Sequence, residues 1–439
     1  MRRLQCLAAA PTQYGVDAST ADAGLPFEPR REGIRRAIVL SGGGARGAYE
    51  AGVLSFVLGE LPTRLGFLPR FDVYSGTSVG AVHSCFLAAQ ADDPQAGVRM
   101  LVDVWRRMSF ASVYSFGVGD AWSFGKSLLG FVTGGSIGPR AQGARIHGLL
   151  NTAPLERLVV DGISWRRLRR NRRAGRFTAV CVSATEIATG RTVTFVDHRE
   201  REVPSWTNDL HHVARPATIG PEHALASAAI PLLFPTVRIG DTFYCDGSLR
   251  QQTPLSPALR LGSNRVLVVG LRHGRPPSLA DPLAAERVEQ MHTVGFLFGK
   301  VLDALLIDRL EYDLSQMRVV NRILRAGLEL YGEEYLERVN VQVKKARGLG
   351  FRVVEDCLIT PSADIGVIAA RHVARRRARP DRSLLGQLAF GALTRGSPEN
   401  EADLASYLLF DGDYASELID LGRSDAAAME EELARFFSS

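Results

Sequence analysis

Short apolar runs broken by glycine, alternating with stretches of helical spacing, organise the chain as far as about residue 270. Arg36-Ala37-Ile38-Val39-Leu40 suits a strand buried on both faces. It runs into Ser41-Gly42-Gly43-Gly44-Ala45-Arg46-Gly47, after which Ala48 to Leu61 has the apolar spacing of a helix and stops at Pro62. A second strand at Phe71 to Tyr74 enters Ser75-Gly76-Thr77-Ser78-Val79-Gly80 and then the helix-prone run Ala81 to Ala89. Strand, glycine loop, helix, strand, serine turn, helix makes two consecutive β-α units. These predict a parallel sheet with right-handed crossovers and functional loops at the strand C-termini.

Further along, Gly97 to Met108 is helical, and Phe110 to Gly148 is rich in glycine, serine and aromatics. The segment Phe110 to Phe131 suits a lid or an acyl-chain wall, and equally a packed irregular loop. Strands follow at Phe177 to Val182 and Thr192 to Val196, and a helix at Glu222 to Ala229. Gly240-Asp241 turns a hairpin between Thr236-Ile239 and Thr242-Cys245, delivering Asp246-Gly247-Ser248 at its end. Arg265 to Gly270 is another buried strand. Leu283 to Leu330 is helical, Phe351-Val354 with Cys357-Ile359 reads as one more strand, and Leu384 to Phe437 is helical with breaks. Three regions result: a mobile tail over residues 1–32, an α/β unit over 33–272, and a mostly helical region over 273–439 with a strand near 351–359.

Composition adds little to the fold but narrows the setting. With 439 residues, 46% hydrophobic and 23% charged, the chain is an ordinary globular protein. Cys6, Cys85, Cys181, Cys245 and Cys357 are dispersed and odd in number, which argues against a disulfide framework or a zinc site and for a reducing compartment. The N-terminal apolar stretch is short and broken by Gln5, so no export signal is expected, and the location expected is cytoplasmic. Val294 to Ile307 carries Lys300 and Asp303, which fits an amphipathic helix rather than a membrane span. The net charge of +6 is concentrated in arginine clusters at 166–173 and 375–379. Such clusters suit either a solvated helix face or peripheral contact with an anionic membrane; no nucleic-acid partner is expected.

The chemistry gathers at the strand ends. Gly76-Thr77-Ser78-Val79-Gly80 between a strand and a helix has the layout of a nucleophile elbow. The following helix aims free N–H groups at developing negative charge. Gly42-Gly43-Gly44-Ala45-Arg46-Gly47 satisfies the dinucleotide fingerprint, but that reading wants an acidic residue closing the next strand, and Asp72 stands at that strand's start. The alternative is an oxyanion hole, with Arg46 adding positive charge nearby or lying on the surface. A serine needs a base. His83 lies five residues beyond Ser78 on the same helix and faces elsewhere, while His211, His212 and His223 sit on no clear strand-to-loop junction. Asp246 is better placed, provided that burial raises its proton affinity.

Taken in order, Gly42 to Gly47, Gly76 to Gly80 and Asp246-Gly247-Ser248 resemble the patatin-like phospholipases, especially the bacterial ones. Asn151 to Leu155 and Ser227 to Pro235 resemble that family's connecting segments, so the resemblance spans roughly residues 34 to 272. It implies a three-layer α/β/α sandwich, with residues 33–272 as the catalytic domain and no metal or other cofactor. By position, Ser78 is the nucleophile, Asp246 the base, and the backbone of Gly43, Gly44, Ala45 and Arg46 the oxyanion hole. Gly42, Gly47, Gly76, Gly80 and Gly247 support them. The implied activity is hydrolysis of carboxylic esters in phospholipids, lysophospholipids or neutral lipids through an acyl-enzyme. A catalytically silent lipid-binding or scaffold protein is the alternative. Three departures stand out, the first being that the helical region after Leu283 lies outside the core of the resemblance. Ser248 replaces the family's usual glycine or alanine, and His83 its common asparagine.

Overall fold

The computed structural model describes residues 25–115, 150–201, 203, 206, 211–273, 310–377 and 402–438. Among them nine strands form one sheet: β1 (Arg36–Leu40), β2 (Val73–Thr77), β3 (Ala179–Glu186), β4 (Thr192–His198), β5 (His212–Pro216), β6 (Val237–Ile239), β7 (Thr242–Asp246), β8 (Arg265–Val269) and β9 (Glu355–Ile359). The order is β5-β4-β3-β2-β1-β8-β9, with β7 pairing both β3 and β6. The run β3-β2-β1-β8-β9 is parallel, as the β-α units predict. β3 pairs antiparallel with β4 and β7, and β6 with β7, so the sheet is mixed but mostly parallel.

The pleat of each strand divides the core into two layers. Ile38, Leu40, Val180, Val182 and Leu267 face one side, while Ala37, Val39, Cys181, Val266 and Val268 face the other. The first side is covered by α1 (Gly47–Ser55), α2 (Leu61–Leu65), α3 (Val79–Ala89) and α4 (Pro94–Arg106). It also carries α5 (Trp165–Arg173) and α6 (Pro221–Ser227). The second side is covered by α7 (Leu255–Arg260) and α8 (Leu310–Tyr331), whose Leu255, Ala258, Leu314 and Met317 meet it. Each aliphatic side chain fully buried this way contributes roughly 1.5–3 kcal/mol. The result is an α/β/α sandwich. Three C-terminal helices, α9 (Ala402–Leu408), α10 (Gly412–Ala428) and α11 (Glu430–Ser438), join the first layer rather than forming a core of their own. α10 lies along α1, where the Tyr49 hydroxyl donates to Asp425 Oδ2 at 2.9 Å.

Three local features differ from the reading of the sequence. The helix after the glycine loop does not stop at Pro62. A π turn over Phe56–Glu60 precedes it, Pro62 occupies the first turn of α2 where its missing N–H costs little, and Gly66 in the left-handed region ends the helix. Residues 351–354 are not strand, because the Asn340 and Asn321 carboxamides take the backbone groups of Phe351 and Val354 that a ladder would use. Phe27 and Glu28, near the end of the expected tail, are packed. Phe27 bridges to Leu68, and the buried Glu28 pairs with Arg36.

Of the arginine cluster on α5, Arg167 and Arg170 pair with Asp92, and Arg172 pairs with the buried Asp197. Arg166 and Arg173 are exposed. The expected helix at Val294 to Ile307, the candidate lid from residue 116 to Phe131, and Arg379 lie outside the described residues. Among the described residues no helix is long and apolar enough to cross a membrane.

Candidate active site

β3 is the strand that brings the two halves of the site together. Its Ser183 is in register with Thr77 at the end of β2, and the next residue, Ala184, is in register with Asp246 at the end of β7. Two adjacent positions of one strand therefore close a separation of 168 residues, and Ser78 Oγ donates to Asp246 Oδ2 at 2.6 Å.

Ser78 sits at φ 54°, ψ −124°, a conformation that costs a non-glycine residue about 1–3 kcal/mol. The surroundings enforce it. The Ser78 N–H donates to Ser227 Oγ at 2.8 Å, and the Ser227 hydroxyl in turn donates to the Ser183 carbonyl at 2.5 Å. Strand and helix then pass so closely that a Cβ on Gly76 would collide with the Gly80 carbonyl, and a Cβ on Gly80 with the Leu40 carbonyl. Only glycine fits at those two positions. Ser78 is the N-cap of α3, and its carbonyl accepts from the Ala81 and Val82 N–H groups at 3.0 and 3.2 Å.

Asp246 is held on every side. Its N–H donates to the Ala229 carbonyl at 2.8 Å, its carbonyl accepts from Thr185 Oγ1 at 2.9 Å, and Oδ1 accepts from the Ser248 N–H at 2.8 Å. Burial pushes the carboxyl up from the ordinary aspartate range to about 6, against the opposing effect of the Ser78 hydroxyl and the Ser248 N–H. The extra methylene and hydroxyl of Ser248 leave that placement intact. Gly247 opens the single helical turn that follows Asp246.

The glycine loop leaves β1 beside the elbow. Gly42 is clasped from the far side: its N–H donates to the Gln252 carbonyl and its carbonyl accepts from Gln252 Nε2, both at 2.9 Å. Ser41 Oγ and Thr253 Oγ1, 2.6 Å apart, add a third tie. Gly44, Ala45 and Arg46 form one 3₁₀ turn, and Gly47 opens α1. The Arg46 N–H is spent on the Gly43 carbonyl at 3.1 Å. Among the described residues no protein acceptor meets the N–H of Gly43, Gly44 or Ala45. The Arg46 side chain is buried, and its Nε donates to Ser406 Oγ at 2.7 Å. It is therefore neither on the surface nor aimed at Ser78.

None of the four histidines weighed in the sequence is hydrogen-bonded to Ser78. His83 Nδ1 lies 2.8 Å from Glu50 Oε2, and Trp105 Nε1 donates to His83 Nε2 at 3.0 Å. His223 Nδ1 accepts from the Gly220 N–H, and His211 and His212 lie at the start of β5. A family model for patatin-like phospholipase matches residues 38–259, half of the chain. The chain belongs to the patatin-like phospholipase family. Among solved structures it is similar to VipD from Legionella pneumophila, at 11% identity and a TM-score of 0.31, the match covering 91% of this chain and 71% of that one. It is also similar to the ExoU–SpcU complex of the type III secretion system of Pseudomonas aeruginosa, at 15% identity and a TM-score of 0.22, covering 86% and 69%. No curated protein matches the chain.

As a patatin-like phospholipase, the chain holds Ser78, Asp246 and the glycine loop inside the matched span, and the C-terminal helices outside it. Reading the sequence missed four supports of the site. Ser227 and Gln252 act through side-chain bonds to backbone and carry no pattern of their own. Ser406 is remote in sequence. Glu50 did carry a signal, since it stands in register with the apolar positions Val53 and Leu54 of α1.

Proposed function

We propose that this member of the family is a serine lipid acyl hydrolase working through a Ser78–Asp246 dyad, cleaving carboxylic esters of phospholipids or related lipids. The observation that carries the reading is the 2.6 Å hydrogen bond from Ser78 Oγ to a buried carboxylate with raised proton affinity. Asp246 accepts the hydroxyl proton as Oγ attacks the ester carbonyl. The N–H groups of Gly43, Gly44 and Ala45, with the N-terminal turn of α3, stabilise the tetrahedral oxyanion. Asp246 returns the proton to the departing alcohol, leaving an acyl-serine. It then deprotonates water, which releases the fatty acid and regenerates Ser78. The ester substrates place the enzyme at lipid surfaces. Exposed Arg166 and Arg173 support contact with an anionic one, a charge-driven binding that weakens as salt rises.

The deciding experiment compares wild type, Ser78→Ala and Asp246→Asn, all folded by circular dichroism. Labelling by a fluorophosphonate and release of fatty acid from mixed phospholipid vesicles are both measured. Labelling and turnover confined to wild type support the dyad. Retained turnover in Asp246→Asn overturns it, and an unlabelled wild type favours a silent lipid-binding protein.

A further inference from the structure

The matched span ends at residue 259, yet the glycine loop does not stand alone within it. Residues 405–410, about 360 positions downstream, are buried against it. Ser406 Oγ accepts from Arg46 Nε at 2.7 Å, and the Arg46 guanidinium lies over the Tyr407 ring, 4.0 Å from its centroid. Gly44, at φ +55°, has the Tyr407 carbonyl against its α-carbon so closely that any Cβ would collide with it. Backbone thus meets backbone inside the loop proposed as the oxyanion hole.

The segment is itself anchored. The Tyr114 hydroxyl donates to the Leu408 carbonyl and the Tyr414 hydroxyl to the Ser406 carbonyl. Phe410 stacks on Trp105 with an interplanar angle of 12°. Asp411 caps α10 by accepting from the Asp413 and Tyr414 N–H groups, and α10 is packed along α1.

We infer that Ser406 and Tyr407 are positioning residues for the oxyanion hole. Through the Arg46 side chain and the Tyr407 carbonyl they hold Gly43, Gly44 and Ala45 in the conformation that aims their N–H groups at the tetrahedral intermediate. The physical case is one of preorganisation. A glycine-rich loop is the most mobile backbone a chain can build, and donors that must reorient during the reaction lose most of their effect. The 3₁₀ turn is short, tied internally by the Arg46 N–H to the Gly43 carbonyl and the Gly47 N–H to the Gly44 carbonyl. Gln252 fixes the Gly42 end, and the C-terminal segment fixes the Arg46 end. A cation over a tyrosine face inside a buried site is held more firmly than one in water. The inference rests on the dyad reading, since a hole needs a nucleophile to serve.

The test uses the full chain with Tyr407→Leu, which keeps bulk but removes the π face, Tyr407→Phe, which restores it, and Arg46→Lys. Fluorophosphonate labelling rate, kcat and KM on a short soluble ester, and thermal unfolding are measured for each, and for the Arg46→Lys/Tyr407→Leu pair. Tyr407→Leu is expected to lower kcat and the labelling rate by about 10- to 100-fold with KM within about twofold, and Tyr407→Phe to stay within about threefold of wild type. The double variant is expected to be no worse than the more impaired single one, because both act through one contact. Activity in Tyr407→Leu equal to wild type overturns the inference. So does a rise in activity, which would make the segment a plug, and so does a full additive loss in the double variant. If Tyr407→Leu does not fold, Ser406→Ala with the same readouts decides. Loss of the dyad reading is seen separately, as labelling that survives Ser78→Ala or turnover that survives Asp246→Asn.

Discussion

Two buried polar pairs flank the elbow helix α3, built from similar parts and put to different ends. At its N-terminus, Ser78 meets Asp246. One and a half turns further on, His83 meets Glu50. Burial raises the proton affinity of both carboxyls. The difference lies in what closes each pair. Trp105 donates to His83 Nε2, which fixes the neutral tautomer with its proton on Nδ1, and that proton points at Glu50. The Ser41 N–H also faces Glu50, so the pair ties together β1, α1, α3 and α4, and both ring nitrogens of His83 are engaged by protein groups. Among the described residues the Ser78 hydroxyl is bonded to Asp246 alone, on a strained backbone with Gly42 packed close to its β-carbon. A perturbed carboxyl is thus a poor guide to chemistry by itself. The geometry around its partner decides.

The most severe break of that contrast is in activity. Asp246→Asn keeps the shape of the site and removes the proposed base, and turnover is expected to fall on the order of 10³-fold. Glu50→Gln can still accept from His83 Nδ1 and is expected to stay within about tenfold of wild type. Equal losses in initial rates on a soluble ester, with both proteins folded, would merge the two pairs into one network.

Stability is expected to move in opposite directions. His83→Asn restores the family's common residue but is too short to serve Glu50 and Trp105 together. Leaving one buried group without a partner costs about 1–3 kcal/mol. Unfolding in urea should show that loss, with kcat nearly unchanged; lost kcat in a folded His83→Asn would make the histidine a participant. Asp246→Asn should instead stabilise the fold at pH 8. Ionising a carboxyl whose folded value is about 6, against an ordinary 3.8, costs about 3 kcal/mol, of which roughly 1 is returned by weaker hydrogen bonds from Ser78 and Ser248. A net gain near 2 kcal/mol is the expected result, and a loss would mean that the charge is better solvated than its burial implies.

How far this contrast was legible in the sequence follows from where each interaction is encoded. The elbow, the glycine loop and the first two β-α units are local patterns, and they stand where the periodicity places them. Asp246 was reachable because a hairpin turn fixes the end of β7. Its proximity to Ser78 was not, since it depends on β3 accepting β2 on one edge and β7 on the other. β5 escaped notice because His212, Val213, Ala214, Arg215 and Pro216 form a half-buried edge with no apolar alternation. Gln252, Ser227 and Ser406 hold backbone or a guanidinium through single polar atoms, and nothing in periodicity reports such bonds. The exact tie of Arg46 to α9 lies between segments 360 residues apart.

The smallest effect separates the pairs by pH. Asp246 must be ionised to act as base, so with a folded value of about 6 the activity should be flat above pH 7 and fall about tenfold by pH 5. Stability runs the other way across the same window. The folded state holds its proton up to about pH 6 and the unfolded state only to about 3.8, so the folded form binds more protons in between and loses stability as pH rises from 3.8 to 6. A midpoint near 6 alone would also suit a histidine. Temperature distinguishes them, because carboxyl ionisation is nearly athermal whereas imidazole ionisation absorbs heat and its midpoint falls on warming. The kcat/KM profile should keep its midpoint between 15 and 35 °C on the order of a tenth of a unit, and should keep it again in His83→Asn. A midpoint that drifts down with temperature and vanishes in that variant would hand the proton to His83 and erase the distinction between the two pairs.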